Sequence, residues 1–342
     1  MKNKTTKLAI AISIAIAMTA CSEQKSTNST ANTQTSTEKV STVQPHKELK
    51  NQESKFNWTA DRFADIRVLR YQTPGFDELP LAQKELLFYL YKAALSGRDI
   101  TWDQNYKYNL TIRHTLEAVI TGYQGDKTTE EFAKFVEYTK RVWFSNGIHH
   151  HYMSAKIQPE FSQESFSNYV NSVAEQGKLP LTNNQTAEQL ITQLTPILFD
   201  PNIAPKMVDQ SAGIDNVTAS AVNYYEGVTE AEVEAFYKAK TNKDDKRPVS
   251  WGLNSKLAKV EGKIVEQVWK ADGMYGKAIT EIAYWLDKAA NVAENKQQQK
   301  TLQLLAKYYR SGDLADFDAY NIEWVKDVNS NVDVVNGFIE VY

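Results

Sequence analysis

Histidine is the side chain whose charge changes nearest neutral pH, so this chain's five histidines are the natural candidates for acid–base or metal chemistry. They are His46, His114, His149, His150 and His151. Metal-assisted hydrolysis on a helix places two imidazoles about one turn apart with a glutamate between them. None of the five is followed by glutamate, and no two lie four or five residues apart. Three consecutive histidines cannot share one face of a helix or strand, so the run makes a poor three-ligand metal site. The run sits in Trp143-Phe144-Ser145-Asn146-Gly147-Ile148-His149-His150-His151-Tyr152, where Asn146-Gly147 signals a turn. Two readings are open. His149, His150 and His151, set by the Asn146 turn, form a polar wall of a substrate cleft beside aromatic rings, or the segment is a surface loop of partly packed imidazoles. A second concentration, Trp102-Asp103-Gln104-Asn105-Tyr106-Lys107-Tyr108-Asn109, mixes amides, rings and charges, and reads as a buried polar network at a helix junction.

Other chemistries lack their signatures. No two glycines lie two residues apart, which excludes G-x-G-x-x-G, and no G-x-x-x-x-G-K-[ST] occurs. No G-x-S-x-G elbow is present. The single cysteine, Cys21, excludes a disulfide framework and Cys-rich zinc sites. With 39 Lys+Arg against 42 Asp+Glu, the net charge of −3 offers no excess of cations for a phosphate backbone, so nucleic acid is not an expected partner.

The elements that must position these residues are mostly helical. In 81–95, Leu86, Leu87, Leu90, Ala93 and Ala94 form a stripe with Gly97 as C-terminal cap. Thr128 and Glu131 make a capping box ahead of Phe132, Phe135 and Val136. The stretch 277–309 lines Ile279, Ile282, Ala283, Leu286, Ala289, Ala290 and Ala293 on one face. Stretches 183–200 and 229–240 also read as helices, and Asp313 and Asp316 flank a turn. Strands are expected at 214–225, 247–253 and Val332–Tyr342, with a soft boundary near 155–180. The fold class expected is α+β, mainly helical with a small sheet.

The first 55 residues differ from the rest. Lys2, Lys4 and Lys7 precede an 11-residue apolar run, Leu8–Met18, which is too short to span about 30 Å of hydrocarbon. Basic start, short apolar run and small residues describe a secretory signal. Cys21 directly after Thr19-Ala20 resembles a bacterial lipobox, so 1–20 is expected to be a lipoprotein signal and Cys21 the lipidated residue that anchors the chain in the cell envelope. Of the 34 residues 22–55, 19 are Ser, Thr, Asn or Gln and none is aromatic, the composition of a disordered tether. The folded body is therefore expected at 56–342.

Within that body, the segments FNWTADRFADIRVLRYQTPGFDELPLAQKELLFYLYKAALSGRDITWDQNYKYNLTIRHTLEA, KRVWFSNGIHHHY, SWGLNSKL, GMYGKAITEIAYWLDKAANVAEN and WVKDVNSNVDVVNGFIEVY resemble the N-terminal half of the dipeptidyl-peptidase III family of metallopeptidases (peptidase family M49) in its bacterial form. The resemblance implies one lobe of a two-lobed clamp, with a small and here incomplete β-barrel on which a peptide lies as an added strand. It implies release of N-terminal dipeptides from short peptides by a zinc ion held on an H-E-x-x-G-H helix. That motif is absent from this sequence, so the chain itself is expected to hold no metal, to contribute no catalytic residue and to be inactive without a second half. The end at Tyr342, inside an apolar alternation, reads as a truncation. By resemblance Asp333 stands where the family has a carboxylate contacting the substrate ammonium, and Asn336 and Glu340 line the same cleft. Animal members carry a tyrosine where Val335 stands, and valine has no hydrogen-bond donor. The partners implied are short peptides and a membrane; the competing reading is a non-catalytic peptide-binding lipoprotein, or a gene fragment without function.

Overall fold

The computed structural model describes residues 56–337. Cys21, the signal and tether segments, and Glu340 with its neighbours lie outside that range. Helices dominate: α1 Leu81–Ser96, α2 Arg98–Asn105, α3 Asn109–Gly122, α4 Glu130–Ser145, α5 Gln163–Ser172, α6 Ala187–Phe199, α7 Asn216–Ala219, α8 Glu230–Lys240, α9 Gly276–Asn291, α10 Lys296–Ser311 and α11 Leu314–Trp324. The strands form two small sheets. Antiparallel β1 (Thr59–Phe63) and β2 (Ile66–Leu69) make one; β3 (Tyr225–Glu226), parallel to β4 (Ser255–Val260), which pairs antiparallel with β5 (Lys263–Val268), makes the other. Among the described residues the small sheet expected is present as two open sheets, neither closed, and the incomplete barrel is not seen in them.

Two large apolar cores organise most of the helices, and a small third one joins Val233 of α8 to Val228 and to Leu257 of β4. In the first, Ile112, Leu116 and Val119 of α3 meet Phe135 and Val142 of α4, Phe166 and Val170 of α5, and Leu190, Leu194 and Leu198 of α6. Ile157, Phe161 and Leu179 join it, so the stretch 155–180 is core rather than boundary. In the second, α1 crosses the sequence to lie on α9, with Leu86 and Ala93 against Ile279, Ile282 and Leu286, backed by Leu302 and Leu305 of α10. Each such fully buried Leu or Ile stabilises by about 1.5–3 kcal/mol. The opposite face of α1 is also apolar: Leu81, Phe88, Tyr91 and Leu95 are exposed.

Several local expectations shift. The helical run at 277–309 is interrupted after Asn291: the Asn295 side chain accepts from Gln298 N (2.9 Å) and starts α10 afresh. The capping residue of α4 is Thr129, accepting from Phe132 N at 3.2 Å, while Glu131 instead accepts from Ser162 N and Ser165 Oγ. Gly97 follows α1 in right-handed geometry (φ −89°) and starts α2 rather than ending the run in the left-handed region. Within 214–225, Asp215 caps α7 and only Tyr225 reaches the sheet; 247–253 is turn, and the strand starts at Ser255. The β4–β5 hairpin turns at Glu261 and Gly262, both with positive φ (50° and 77°), as a two-residue type I′ turn requires.

The described part of the C-terminal stretch, 332–337, is not a strand. Its backbone groups are taken elsewhere. The Glu294 carboxylate accepts from Asn331 N and Val332 N (2.7 and 2.9 Å), and Gln298 Nε2 donates to Val332 O (2.6 Å). Asp333 Oδ1 accepts from Val334 N at 2.7 Å. A β-ladder needs those same donors and acceptors, so local side-chain bonds displace it.

Candidate functional site

The helix α2 joins the two sequence concentrations. Asn105 Nδ2 donates to Asn146 O (3.1 Å), and Asp103 Oδ2 accepts from Asn223 Nδ2 (2.9 Å) and Tyr275 OH (2.6 Å). Just beyond α2, fully buried Asn109 donates to Trp102 O (3.1 Å) and accepts from Ile148 N (3.2 Å). The Trp102–Asn109 cluster is thus a buried polar junction, and it holds the Asn146 turn in place. Asn146 ends α4 in the left-handed region (φ 51°), which asparagine tolerates. Gly147 follows at φ 150°, and a Cβ there would sit 2.1 Å from Asn109 Nδ2, so the turn closes only on glycine. Replacing Asn109 with alanine leaves Trp102 O and Ile148 N without this partner; we expect a loss of about 2 kcal/mol in urea unfolding. A change below about 0.5 kcal/mol, the range of an ordinary surface substitution, would refute the junction's role.

The three histidines point to different fates. His149 is 2 % exposed; its Nε2 lies 2.9 Å from Ala204 O, its ring packs edge-on against Tyr106, and burial drops its pKa to about 4. His150 stacks on His151 with ring centroids 4.4 Å apart, and its Nδ1 accepts from Tyr152 N and Met153 N. His151 also meets Phe144 edge-on, and burial with the neighbouring His150 lowers its pKa. The geometry favours packed imidazoles over an open cleft wall. His150 alone lines a cavity, one of about 300 Å³ shared with Tyr138, Arg141 and Lys156.

The residues of the C-terminal segment lie elsewhere, and among the described residues no hydrogen bond or ring contact joins them to the histidine turn. Asp333 is exposed, and its Oδ1 also accepts from Trp324 Nε1 (2.9 Å). Asn336 Oδ1 accepts from Tyr309 OH (2.6 Å), and the residue borders a cavity of about 260 Å³ between α1, α2, α9 and α10. Gln104 of α2 lines the same cavity. A further cleft, about 890 Å³, runs along 202–229 beside Tyr106 and Lys107 and is lined by none of Asn146, the three histidines, Asp333 or Asn336. Its rim includes Glu226, whose carboxylate is held down to about 2 by hydrogen bonds from Lys256 and Lys107.

Lys156 escaped the sequence reading. It is 8 % exposed, and its ammonium donates to Ile197 O (3.0 Å), Ile203 O (2.7 Å) and Asp200 O, closing the C-terminal end of α6. No spacing rule flags a lysine that seals a helix forty residues downstream.

Zinc, which the family resemblance implies, finds no home in these residues. Among the described residues no three His, Cys, Asp or Glu side chains form a metal-binding group. His149 is buried while His150 and His151 stack on each other, so the run does not present three ligands to one metal, and no step is routed through one.

Residues 217–342 match the model of a family described as peptidase family M49. The matched stretch contains Asp333, Asn336 and Glu340 but not Asn146 or the histidine run. Two solved structures are similar in part. They are the dipeptidyl-peptidase III of Caldithrix abyssi (TM-score 0.45, 17 % identity, 74 % of this chain and 35 % of that one) and that of Corallococcus sp. strain EGB (TM-score 0.46, 18 % identity, 77 % and 35 %). This chain spans about a third of the length of either. No curated protein matches.

Proposed function

We propose that this chain is a lipid-anchored relative of dipeptidyl-peptidase III that binds the N-terminal end of short peptides, while dipeptide release requires a zinc centre these 342 residues do not encode. The observation that carries it is the match of 217–342 to peptidase family M49 with an exposed carboxylate, Asp333, inside the matched stretch. A free peptide N-terminus is a cation, and a fixed carboxylate supplies both counter-charge and acceptor. Trp324 Nε1 and Val334 N both donate to Oδ1, which holds the carboxylate in one orientation. The lipid anchor rests on the basic, apolar and small-residue order ahead of Cys21. With Cys21→Ser the protein should move from the membrane to the soluble fraction; an unchanged distribution would remove the anchor.

Calorimetry with tetra-alanine tests the binding. The free peptide should bind at least about tenfold tighter than its acetylated form, and Asp333→Asn should abolish that difference. Equal affinity for both forms would refute the reading. Release of dialanine from the same peptide by this chain with added zinc would refute its dependence on an outside zinc centre.

A further inference from the structure

The ribbon of β1 and β2 sorts its charges by side. Its two carboxylates meet α4: Asp61 Oδ2 accepts from Lys140 Nζ (2.7 Å), and Asp65 Oδ1 lies 3.7 Å from Arg141 Nη2. Phe63, on the same side as Asp61, lies under the Lys140 ammonium, 5.5 Å from the ring centroid. The register sets the other face. Arg62 is opposite Arg67 and Thr59 opposite Leu69, and residues directly opposite share a face. All four are exposed. At the open end of the ribbon, where Arg70 N donates to Trp58 O, Trp58, Arg70 and Tyr71 are exposed as well. Two arginines directly opposite, with Cβ atoms roughly 5 Å apart, repel each other. Among the described residues Arg62, Arg67 and Arg70 form no ion pair, whereas the four helical arginines, Arg98, Arg113, Arg141 and Arg310, all do. The ribbon therefore presents a positive face that an outside anion would relieve.

We infer that the Arg62–Arg67 face of this ribbon docks on the phosphates of an anionic bilayer, with Trp58 and Tyr71 at the membrane–water interface. Guanidinium groups match phosphate geometry, and Trp and Tyr are the rings enriched at such interfaces. The ribbon is also the first described element after Cys21, which lies 35 residues before Phe56, a reach of at most about 120 Å. This second membrane contact rests on the lipid-anchored reading above. An anchor at Cys21 keeps the ribbon at high local concentration beside the bilayer, so a weak contact is enough. Each arginine close to an anionic surface strengthens binding about fivefold.

Co-sedimentation of the full chain with phosphatidylcholine vesicles, with or without about one quarter phosphatidylglycerol, tests this. Arg62→Gln with Arg67→Gln should weaken binding to the anionic vesicles about 30-fold and leave binding to the neutral ones unchanged. The difference should vanish in about 0.5 M salt, which screens exposed charges. The same variant should melt no lower than the wild type, because the opposed charges are gone. Lys243→Gln with Lys246→Gln removes the same charge from the exposed segment 241–248 and should bind as the wild type does. Equal loss in both pairs would make net charge the cause and overturn the ribbon. Undiminished binding by the arginine pair would overturn it too. Deca-glutamate that binds the ribbon as tightly as the anionic vesicles do would assign it to acidic peptides and overturn the bilayer contact. The anchor itself is decided separately, by the Cys21→Ser fractionation.

Discussion

Replacing Lys156 with methionine is expected to lower the free energy of unfolding by about 3 kcal/mol. The methionine keeps the apolar stem but removes an ammonium that serves three carbonyl groups, of Ile197, Asp200 and Ile203. Those carbonyls crowd the end of α6, where the aligned peptide dipoles place partial negative charge, so a cation there is doubly favoured. Burial pulls the lysine's pKa below its ordinary value, with the Asp200 charge opposing. The charge is thus held at a desolvation cost that the carbonyls offset, and methionine recovers some of that cost. Urea unfolding at neutral pH measures the balance. A variant within about 1 kcal/mol of the wild type would mean the carbonyls find water or other donors, and that the lysine is replaceable.

The second large effect is on acid stability. His149 has its pKa dropped to about 4 by burial, against 6.5 in a solvated chain. Between these values the unfolded chain takes up a proton that the folded chain refuses, so stability is complete above pH 6.5 and is lost as pH falls toward 4. The slope reaches about 1.4 kcal/mol per pH unit, for a total near 3 kcal/mol. In His149→Gln the amide Nε2 still reaches toward Ala204 O and cannot titrate, so its stability should fall far less over pH 6.5–4.5. Carboxylates held low, such as Glu226 and Glu323, contribute equally in both proteins and mostly at lower pH. Parallel pH profiles for the two proteins would mean that His149 is protonated without penalty.

How much of this was legible in the sequence depends on the range of the interaction. Periodicity found α1, α6, α8 and α9, because a helix packed on one side must repeat its apolar residues every three to four positions. Capping chemistry also marks the start of α8, where Thr229 and Glu232 close a capping box that the sequence reading had not singled out. It misplaced α4 by one residue because Glu131 answers to Ser162, a partner no local pattern reveals. The strand expected at 332–337 failed for the same reason: its alternation is genuine, but Glu294 and Gln298 claim its backbone. The β4–β5 hairpin was missed because its turn is Glu261-Gly262, a pair without the usual Asn or Asp. At the candidate site, Asn146 and the Trp102–Asn109 network were visible from composition, and the family resemblance supplied Asp333. The packing of His149 and the role of Lys156 are tertiary facts. They depend on Ala204 and on the end of α6, segments that meet them only after folding.

The pairing of α1 with α9 has a consequence for the order of events during synthesis. The chain runs from Ser96 to Gly276 before the partner of α1 begins. At about 5–20 residues per second, a ribosome needs on the order of ten seconds or more to make that stretch. Throughout the delay both sides of α1 are unpartnered, Leu86 and Ala93 on one and Phe88, Tyr91 and Leu95 on the other. The core of α3–α6 is complete in sequence by Phe199 and can condense while α1 waits. The nascent chain is then a folded middle with a sticky leading helix, the kind of segment that holding chaperones bind. The second core closes last, from both ends of the chain at once.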